Sequence, residues 1–233
     1  MLIPQLLSVR AAEGILCLMP FFCPMGWAQE SPQPPQVLEA AAPIESGFTP
    51  LFDGRSLSGW EGNSEYFRVE ENSIVAGSLK RKIPHNEFLC TEREYGDFDL
   101  RYEMRILGEG NNAGVQFRSH RVAGETEVSG YQCDAGMAWD RPVWGALYDE
   151  SRRRKMLAEG PPESLAKWLK AGEWNEMRIL AEGARVRLFL NGHQTIDYTE
   201  ADAGIARKGV IGLQIHSGPP TEAWYRKIRI QEL

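Results

Sequence analysis

Arg185-Val186-Arg187-Leu188-Phe189-Leu190 runs into Asn191-Gly192, and His193-Gln194-Thr195-Ile196-Asp197-Tyr198 follows. An Asn-Gly pair between two strand-like runs is the strongest short-range signal of a β-hairpin in the chain. Asp99-Leu-Arg-Tyr-Glu-Met-Arg-Ile106 alternates polar and apolar residues without a break, which places Leu100, Tyr102, Met104 and Ile106 on one face of a strand that covers a core on one side. Working outward, further strands are expected at 66–70, 74–78, 87–92, 113–120, 129–135, 143–148, 174–182, 209–216 and 224–231, with one helix over Pro162–Lys170 ended by Gly172. Many strands, frequent turns and too few helices for parallel crossovers imply an all-β fold, a two-sheet antiparallel sandwich.

The inner faces of that sandwich are expected to hold Val115, Phe117, Ile179, Leu188, Leu190, Ile211, Leu213, Ile215, Ile228 and Ile230. Burying each such side chain contributes roughly 1.5–3 kcal/mol. The opposite face then collects Gln116, Arg118 and His120 from one strand, Gln132 and Asp134 from a second, and Gln214 and His216 from a third. A solvent-facing sheet more often carries Lys, Glu, Thr and Ser, so these side chains point to recognition of a small polar ligand, and if the three strands are neighbours they line one groove.

The chain has 233 residues, 42% hydrophobic and 25% charged, which suffices for one substantial core. Its net charge of -6, with no basic run longer than Arg152-Arg-Arg-Lys155, argues against nucleic acid as a partner. Arg10, the apolar run Gly14–Met25 and Gly26-Trp27-Ala28 read as a signal peptide over residues 1–28, cleaved after Ala28. That run is too short and too broken by Pro20 and Pro24 to span a bilayer, so export to the periplasm or the exterior is the expectation and no membrane span is. Residues 29–46, rich in Pro and polar residues without periodicity, read as a flexible leader, and 47–233 as the single domain. Cys17 and Cys23 lack the small preceding residues of a lipid-attachment site. The remaining two, Cys90 and Cys133, sit in apolar strand patterns that suit either one disulfide or two buried thiols.

Seven separated motifs resemble one known family. They are Gly47-Phe-Thr-Pro-Leu-Phe-Asp53-Gly54-Arg-Ser-Leu-Ser-Gly59-Trp60, Gly96-Asp-Phe-Asp-Leu-Arg-Tyr-Glu103, Asn111-Asn-Ala-Gly-Val-Gln-Phe-Arg118, Gly130-Tyr131-Gln132-Cys-Asp134, Gly145-Ala-Leu-Tyr148-Asp149-Glu150, Gly172-Glu-Trp-Asn175 and Gly209-Val-Ile-Gly-Leu-Gln-Ile-His216. In this order they are similar to the 3-keto-disaccharide hydrolase domain family, over nearly all of residues 47–233. The resemblance implies a jelly roll of the concanavalin A-like lectin/glucanase type, in an exported bacterial protein acting on sugars. Many members carry Glu where this chain has Gln132; a neutral amide cannot take up a proton as a carboxylate does, so any basic role moves elsewhere, and Asp134 on the same strand face is the nearest substitute. Other members share the Gly-Tyr-Gln-x-Asp form, which reads as a subtype.

The family's name implies a chemistry. A ketone at C3 of a pyranose acidifies the C2 proton, so the site needs a base, a partner for the enolate oxygen and an acid for the group leaving C1. Candidates are Asp134 or His216 as base, Arg118 as oxyanion partner, and Asp149 or Glu150 as acid, with Gln116, His120, Gln132, Gln214, Tyr148, Trp139 and Trp144 as substrate-binding residues. Trp139 and Trp144 fall in the loop-rich stretch 136–147 and suit stacking on a sugar face, whereas Trp60 suits core closure near the N-terminal strand. Each candidate also has a structural reading: Arg118 pairing with Asp134 across strands, His216 as a hydrogen-bonded sheet residue, Asp149-Glu150 as a solvated loop.

No two of the four histidines, His85, His120, His193 and His216, have the spacing of a helical zinc site, and no paired-cysteine motif, Gly-x-Ser-x-Gly or glycine-rich phosphate loop occurs. No cofactor is expected; calcium held by loop carboxylates and carbonyls stays open, although no run of alternating acidic residues marks a site. Three functional classes follow: an enzyme cleaving 3-keto-disaccharides or 3-keto-glycosides by elimination with net hydrolysis, a lectin-like glycan-binding module, and a two-carboxylate glycosidase. The last lacks the Glu-x-Asp-x-x-Glu spacing of sandwich glucanases. The chain carries no dinucleotide fingerprint and so does not make the keto group by itself; whether it acts alone or after an upstream sugar 3-oxidoreductase stays open.

Overall fold

The computed structural model describes residues 45–233; the expected signal peptide and all but the last two residues of the leader lie outside the described residues. In chain order the elements are β1 (Thr49–Pro50), β2 (Trp60–Glu61), β3 (Phe67–Glu70), β4 (Ser73–Ser78), β5 (Glu87–Thr91), β6 (Phe98–Gly108), β7 (Asn112–Arg121), β8 (Val128–Ala138) and β9 (Arg141–Pro142). There follow β10 (Leu147–Glu150), β11 (Lys155–Ala158), α1 (Pro162–Trp168), β12 (Asn175–Glu182), β13 (Arg185–Leu190), β14 (His193–Thr199), β15 (Val210–Ile215) and β16 (Thr221–Glu232).

Two antiparallel sheets result. One has the order β14-β13-β12-β6-β16-β4-β3, with β1 against β16; the other has β11-β10-β8-β7-β15-β5-β2, with β9 against β8. Strands distant in sequence lie side by side, as β15 between β7 and β5 and β16 between β6 and β4, which is jelly-roll connectivity. Asn191 (φ 49) and Gly192 (φ 81) form the two-residue turn between β13 and β14, the left-handed conformation that Asn-Gly accepts at low cost.

The inner faces meet in one apolar cluster that contains all ten expected residues from Val115 to Ile230, together with Leu100, Tyr102, Met104 and Ile106 of β6. Trp60 is buried in it as expected, its Nε1 donating to Leu51 O at 2.7 Å. Cys90 and Cys133 are both free, buried thiols. Cys133 faces the core from β8, while Cys90 lies on the other side of β5, three strand spacings or about 14 Å away, well beyond disulfide reach.

Among the differences from the sequence pattern, three stand out. The strand expected at 143–148 is displaced to Leu147–Glu150 because Val143–Ala146 makes a turn closed by Ala146 N donating to Val143 O, with Gly145 at φ 69. Lys155–Ala158, too short and too mixed to show periodicity, adds the edge strand β11. The helix ends at Trp168, before Leu169 turns extended at φ -73 and ψ 130. Among the described residues no helix is long and apolar enough to cross a membrane.

Candidate functional site

The neighbouring strands β8, β7 and β15 bring three glutamines and an aspartate onto the outer face of the second sheet. Register sets Gln132 opposite Gln116, and it lines up Asp134, Gly114 and Gln214 in one row across the three strands. Gly114 lies in the middle of that row, and a Cβ there would stand 2.8 Å from Gln132 Cγ. The missing side chain is what lets the Gln132 amide lie flat between Asp134 and Gln214.

The hydrogen bonds run in one direction. Ser119 Oγ donates to Gln116 Oε1 at 3.0 Å, and Gln116 Nε2 donates to Gln132 Oε1 at 2.6 Å. Gln132 Nε2 then donates to Asp134 Oδ1 at 2.6 Å and to Gln214 Oε1 at 3.2 Å. All four of these Gln and Asp side chains are buried. Gln214 Nε2 ends the chain without an acceptor among the described residues.

Arg118 and His120 leave this face, contrary to the alternation read from the sequence. A β-bulge intervenes: Phe117 pairs with Tyr131 but His120 pairs with Ser129, so β7 spends one more residue than β8, and Arg118 takes φ 48. The bulge turns the Arg118 guanidinium to the rim where the sheets meet, where Nε donates to Gly96 O (2.8 Å), Nη1 to Gly183 O (2.8 Å) and Nη2 to Asp97 Oδ1 (2.7 Å). It therefore pairs with Asp97 rather than Asp134, and three of its five N–H donors are spent at the rim, away from the polar face. Past the bulge, His120 is exposed and 3.8 Å from Glu94.

Strand β10 divides the acidic pair. Tyr148 pairs with Gln132 and Glu150 with Gly130, on the polar face, whereas Asp149 pairs with Tyr131 and points the other way. Asp149 is wholly buried between Arg152 and Arg153, and Arg153 continues to Glu200, which accepts from Tyr131 Oη at 2.6 Å. Asp149 is thus part of a structural ion-pair network and not an acid for the polar face. Trp144 is likewise withdrawn into the core. Trp139 remains 61% exposed, 6.1 Å from the Tyr148 ring and stacked by Arg141, whose partner is Glu159.

Glu127, Asn86 and Ser151 join the site without having been legible in the sequence. Asn86 Nδ2 and Ser151 Oγ both donate to the Glu127 carboxylate at 3.2 Å, and Ser217 N donates to Asn86 Oδ1 at 2.9 Å. These contacts join the β7–β8 turn, the segment before β5, the end of β10 and the loop after β15. No local motif announces such a junction. His216, half-buried at its margin, has Nδ1 2.7 Å from Ser217 O. A carbonyl only accepts, so Nδ1 carries a proton, and in the neutral ring Nε2 is then the free acceptor.

Burial pushes the Asp134 carboxyl up to about 7, against the lowering effect of the Gln132 amide and with the help of charge on Glu150 and Glu159. Burial also raises Glu150, and the neighbouring Glu127 carboxylate adds to the rise while His216 opposes it. The face therefore carries one carboxyl that exchanges protons at neutral pH and a second displaced in the same direction, the pairing that acid–base chemistry needs. Among the described residues no three His, Cys, Asp or Glu side chains are grouped to hold a metal ion. Two surface depressions, of about 380 Å³ beside Trp174 and Arg226 and about 160 Å³ beside Arg178 and Phe189, lie on the other sheet, away from Asp134.

Solved structures share this architecture. A candidate glycosyl hydrolase from Parabacteroides distasonis matches with a TM-score of 0.59 at 17% identity, covering 80% of this chain and 94% of its own. The carbohydrate-binding module CBM66 from Bacillus subtilis matches at 0.57 and 16%, covering 75% and 96%. A Bacillus licheniformis β-glucanase matches at 0.52 and 9%, covering 80% and 97%. At these identities the likeness establishes the jelly roll of lectin/glucanase type. No curated protein matches the chain. The family model described as the 3-keto-alpha-glucoside-1,2-lyase-like domain matches residues 47–231, and the chain, with the seven motifs now on the strands and turns of one sandwich, belongs to that family.

Proposed function

We propose that this protein cleaves 3-keto-glycosides by elimination across C1–C2, with hydration completing a net hydrolysis. The observation that carries the reading is Asp134, a carboxyl held near neutrality on a polar sheet face, with Glu150 on the adjacent strand and Trp139 and Tyr148 at the rim. Ionised Asp134 takes the C2 proton, the C2 electrons delocalise onto the C3 oxygen, and their return to form C1=C2 expels the C1 oxygen, which Glu150 protonates. Water then adds at C1 while Asp134 returns its proton to C2, with the His216 Nε2 lone pair as acceptor for the water's proton. The exposed Trp139 ring supplies an apolar platform for a pyranose face.

This reading includes export, supported by the pattern of residues 1–28, and an upstream sugar 3-oxidoreductase, since the chemistry starts from a ketone that nothing in the sequence is equipped to make. A second reading, a glycan-binding module without turnover, draws on the Asp134 row being filled by its own amides while the open depressions lie on the opposite sheet. The two separate on incubation of residues 29–233 with 3-keto-trehalose or 3-keto-lactose and with the unoxidised sugars, following products by mass spectrometry and C2 proton exchange by NMR. Cleavage and exchange confined to the keto sugars support the enzyme. Saturable binding without either supports the module.

A further inference from the structure

Asp134, as a carboxylate, only accepts hydrogen bonds, so Gln132 must turn its NH2 toward it. That NH2 has a second hydrogen, taken by Gln214 Oε1 at 3.2 Å. Gln214 is thereby fixed with its carbonyl inward and its own NH2 directed away from Gln132, buried and without an acceptor among the described residues. A buried donor left unpaired is costly in a folded protein and calls for a partner that the described residues do not supply. Gln214 shares a row with Asp134, separated from it only by Gly114, and Arg118, the charged candidate for an oxyanion partner, is committed elsewhere.

We propose that the Gln214 side-chain amide is the donor to the C3 carbonyl oxygen of the sugar, held in that orientation by the ionised Asp134 through Gln132. Asp134 Oδ1 and Gln214 Oε1 both contact Gln132 Nε2, at 2.6 and 3.2 Å, so the two side chains lie close enough for a pyranose laid over the row to meet both. The base and the oxyanion donor then stand on opposite sides of the C2–C3 bond. Because the nitrogen is covered in the substrate-free fold, the sugar reaches it by displacing neighbouring side chains. The proposal rests on the reading of the site as one for 3-keto sugars, and it assigns Gln132 as a positioning residue, not a catalytic one.

The test is side-chain amide NMR of the ¹⁵N-glutamine-labelled protein, residues 29–233, titrated with 3-keto-trehalose and separately with trehalose, alongside kinetics of Gln214→Met and Gln214→Glu. A downfield shift of the Gln214 NH2 with the keto sugar and not with trehalose is expected. Both variants are expected to lose about 100-fold or more in kcat, the usual scale for one oxyanion donor, with a smaller change in KM. An unmoved Gln214 resonance at saturating keto sugar overturns the proposal, as does an equal response to trehalose. If the wild type binds without turnover, the enzymatic reading fails while the resonance still decides whether Gln214 meets the carbonyl. Should Gln214→Glu fail to fold, the wild-type titration and Gln214→Met carry the decision.

Discussion

Gln132 Nε2 and Asp134 Oδ1, two residues apart on β8 and on the same face, are joined by a 2.6 Å hydrogen bond, and this neutral amide stabilises the Asp134 carboxylate against its burial. An amide at position 132 leaves Asp134 able to exchange a proton near pH 7. A carboxylate there would add a like charge beside it and drive it further up.

The Asp134 carboxyl thus moves from 3.8 in the unfolded chain to about 7 in the fold. Its contribution to stability is fully present below about pH 4 and is lost as pH rises through about 7, because the native state binds the extra proton in that window. The difference corresponds to roughly 4 kcal/mol at full ionisation, at 1.36 kcal/mol per unit. Asp134→Asn, still able to accept from Gln132, is expected to unfold at higher urea than the wild type at pH 8, with the gap narrowing as pH falls and closing below about pH 4, while losing C2 exchange altogether. In the wild type kcat/KM should climb with pH and level off above 7. Equal urea midpoints at pH 8 would remove the buried charge from the account.

Arg118 ties the two sheets at their rim through three donors, and its removal leaves Gly96 O and Gly183 O without partners. Arg118→Ala is expected to cost about 2–4 kcal/mol of stability while the folded fraction keeps kcat within a few-fold of wild type. Denaturant unfolding and active-fraction kinetics check both halves. A large kcat loss at unchanged stability would return Arg118 to the chemistry.

The sandwich was legible because period-2 alternation and the Asn191-Gly192 turn are local signals, and the ten expected core residues depend on nothing else. The polar face was legible only as far as alternation holds. Gln116, Gln132, Asp134 and Gln214 fall where period 2 puts them, but one extra residue at the Arg118 bulge reverses every assignment beyond it, and neither Arg118 nor Ser119 is a residue that advertises a bulge. Asp149 and Glu150 looked equivalent as neighbours, yet adjacency on a strand guarantees opposite faces once β10 is known to begin at Leu147 rather than earlier. Glu127 and Asn86 meet only because strands far apart in sequence are neighbours in space.

Burial pushes both Cys90 and Cys133 thiols up to about 12, so neither offers a thiolate in the native state. Alkylation by iodoacetamide at pH 8 is expected to be negligible until denaturant is added, when both react. Reductant should leave the urea midpoint of residues 29–233 unchanged. A shift with dithiothreitol would mean that the two thiols come together, against their placement on opposite sides of the second sheet.

Trp139 is exposed on the β8–β9 turn and touches the site only through Tyr148 and Arg141. Trp139→Ala is expected to leave stability within about 0.5 kcal/mol, as for other surface positions. Loss of one stacking face, worth about 0.5–1.5 kcal/mol, should raise KM or Kd for the keto sugar by about 2- to 10-fold with kcat unchanged. Isothermal titration of the variant reads this directly, and unaltered affinity would move the sugar platform elsewhere on the face.

Glu150 and Asp149 give the sharpest contrast, since they are adjacent in sequence and separated by the plane of the sheet. Glu150→Gln keeps the shape and the bond accepted from Ser151 N while removing the proton that the leaving oxygen needs, so kcat for a poor alcohol leaving group should fall about 10²- to 10⁴-fold with stability preserved. An activated aryl 3-keto-glucoside, whose leaving group departs without protonation, should be cleaved at close to the wild-type rate. Asp149→Asn should do the reverse: it strips charge from a buried carboxylate that faces Arg152 and Arg153 and is expected to cost about 3–5 kcal/mol, with the residual folded protein still active. If Asp149→Asn instead abolished turnover at full stability while Glu150→Gln did nothing, the acid would lie on the core side of the sheet, and the face carrying Asp134 and Gln214 would not be where the glycosidic bond breaks.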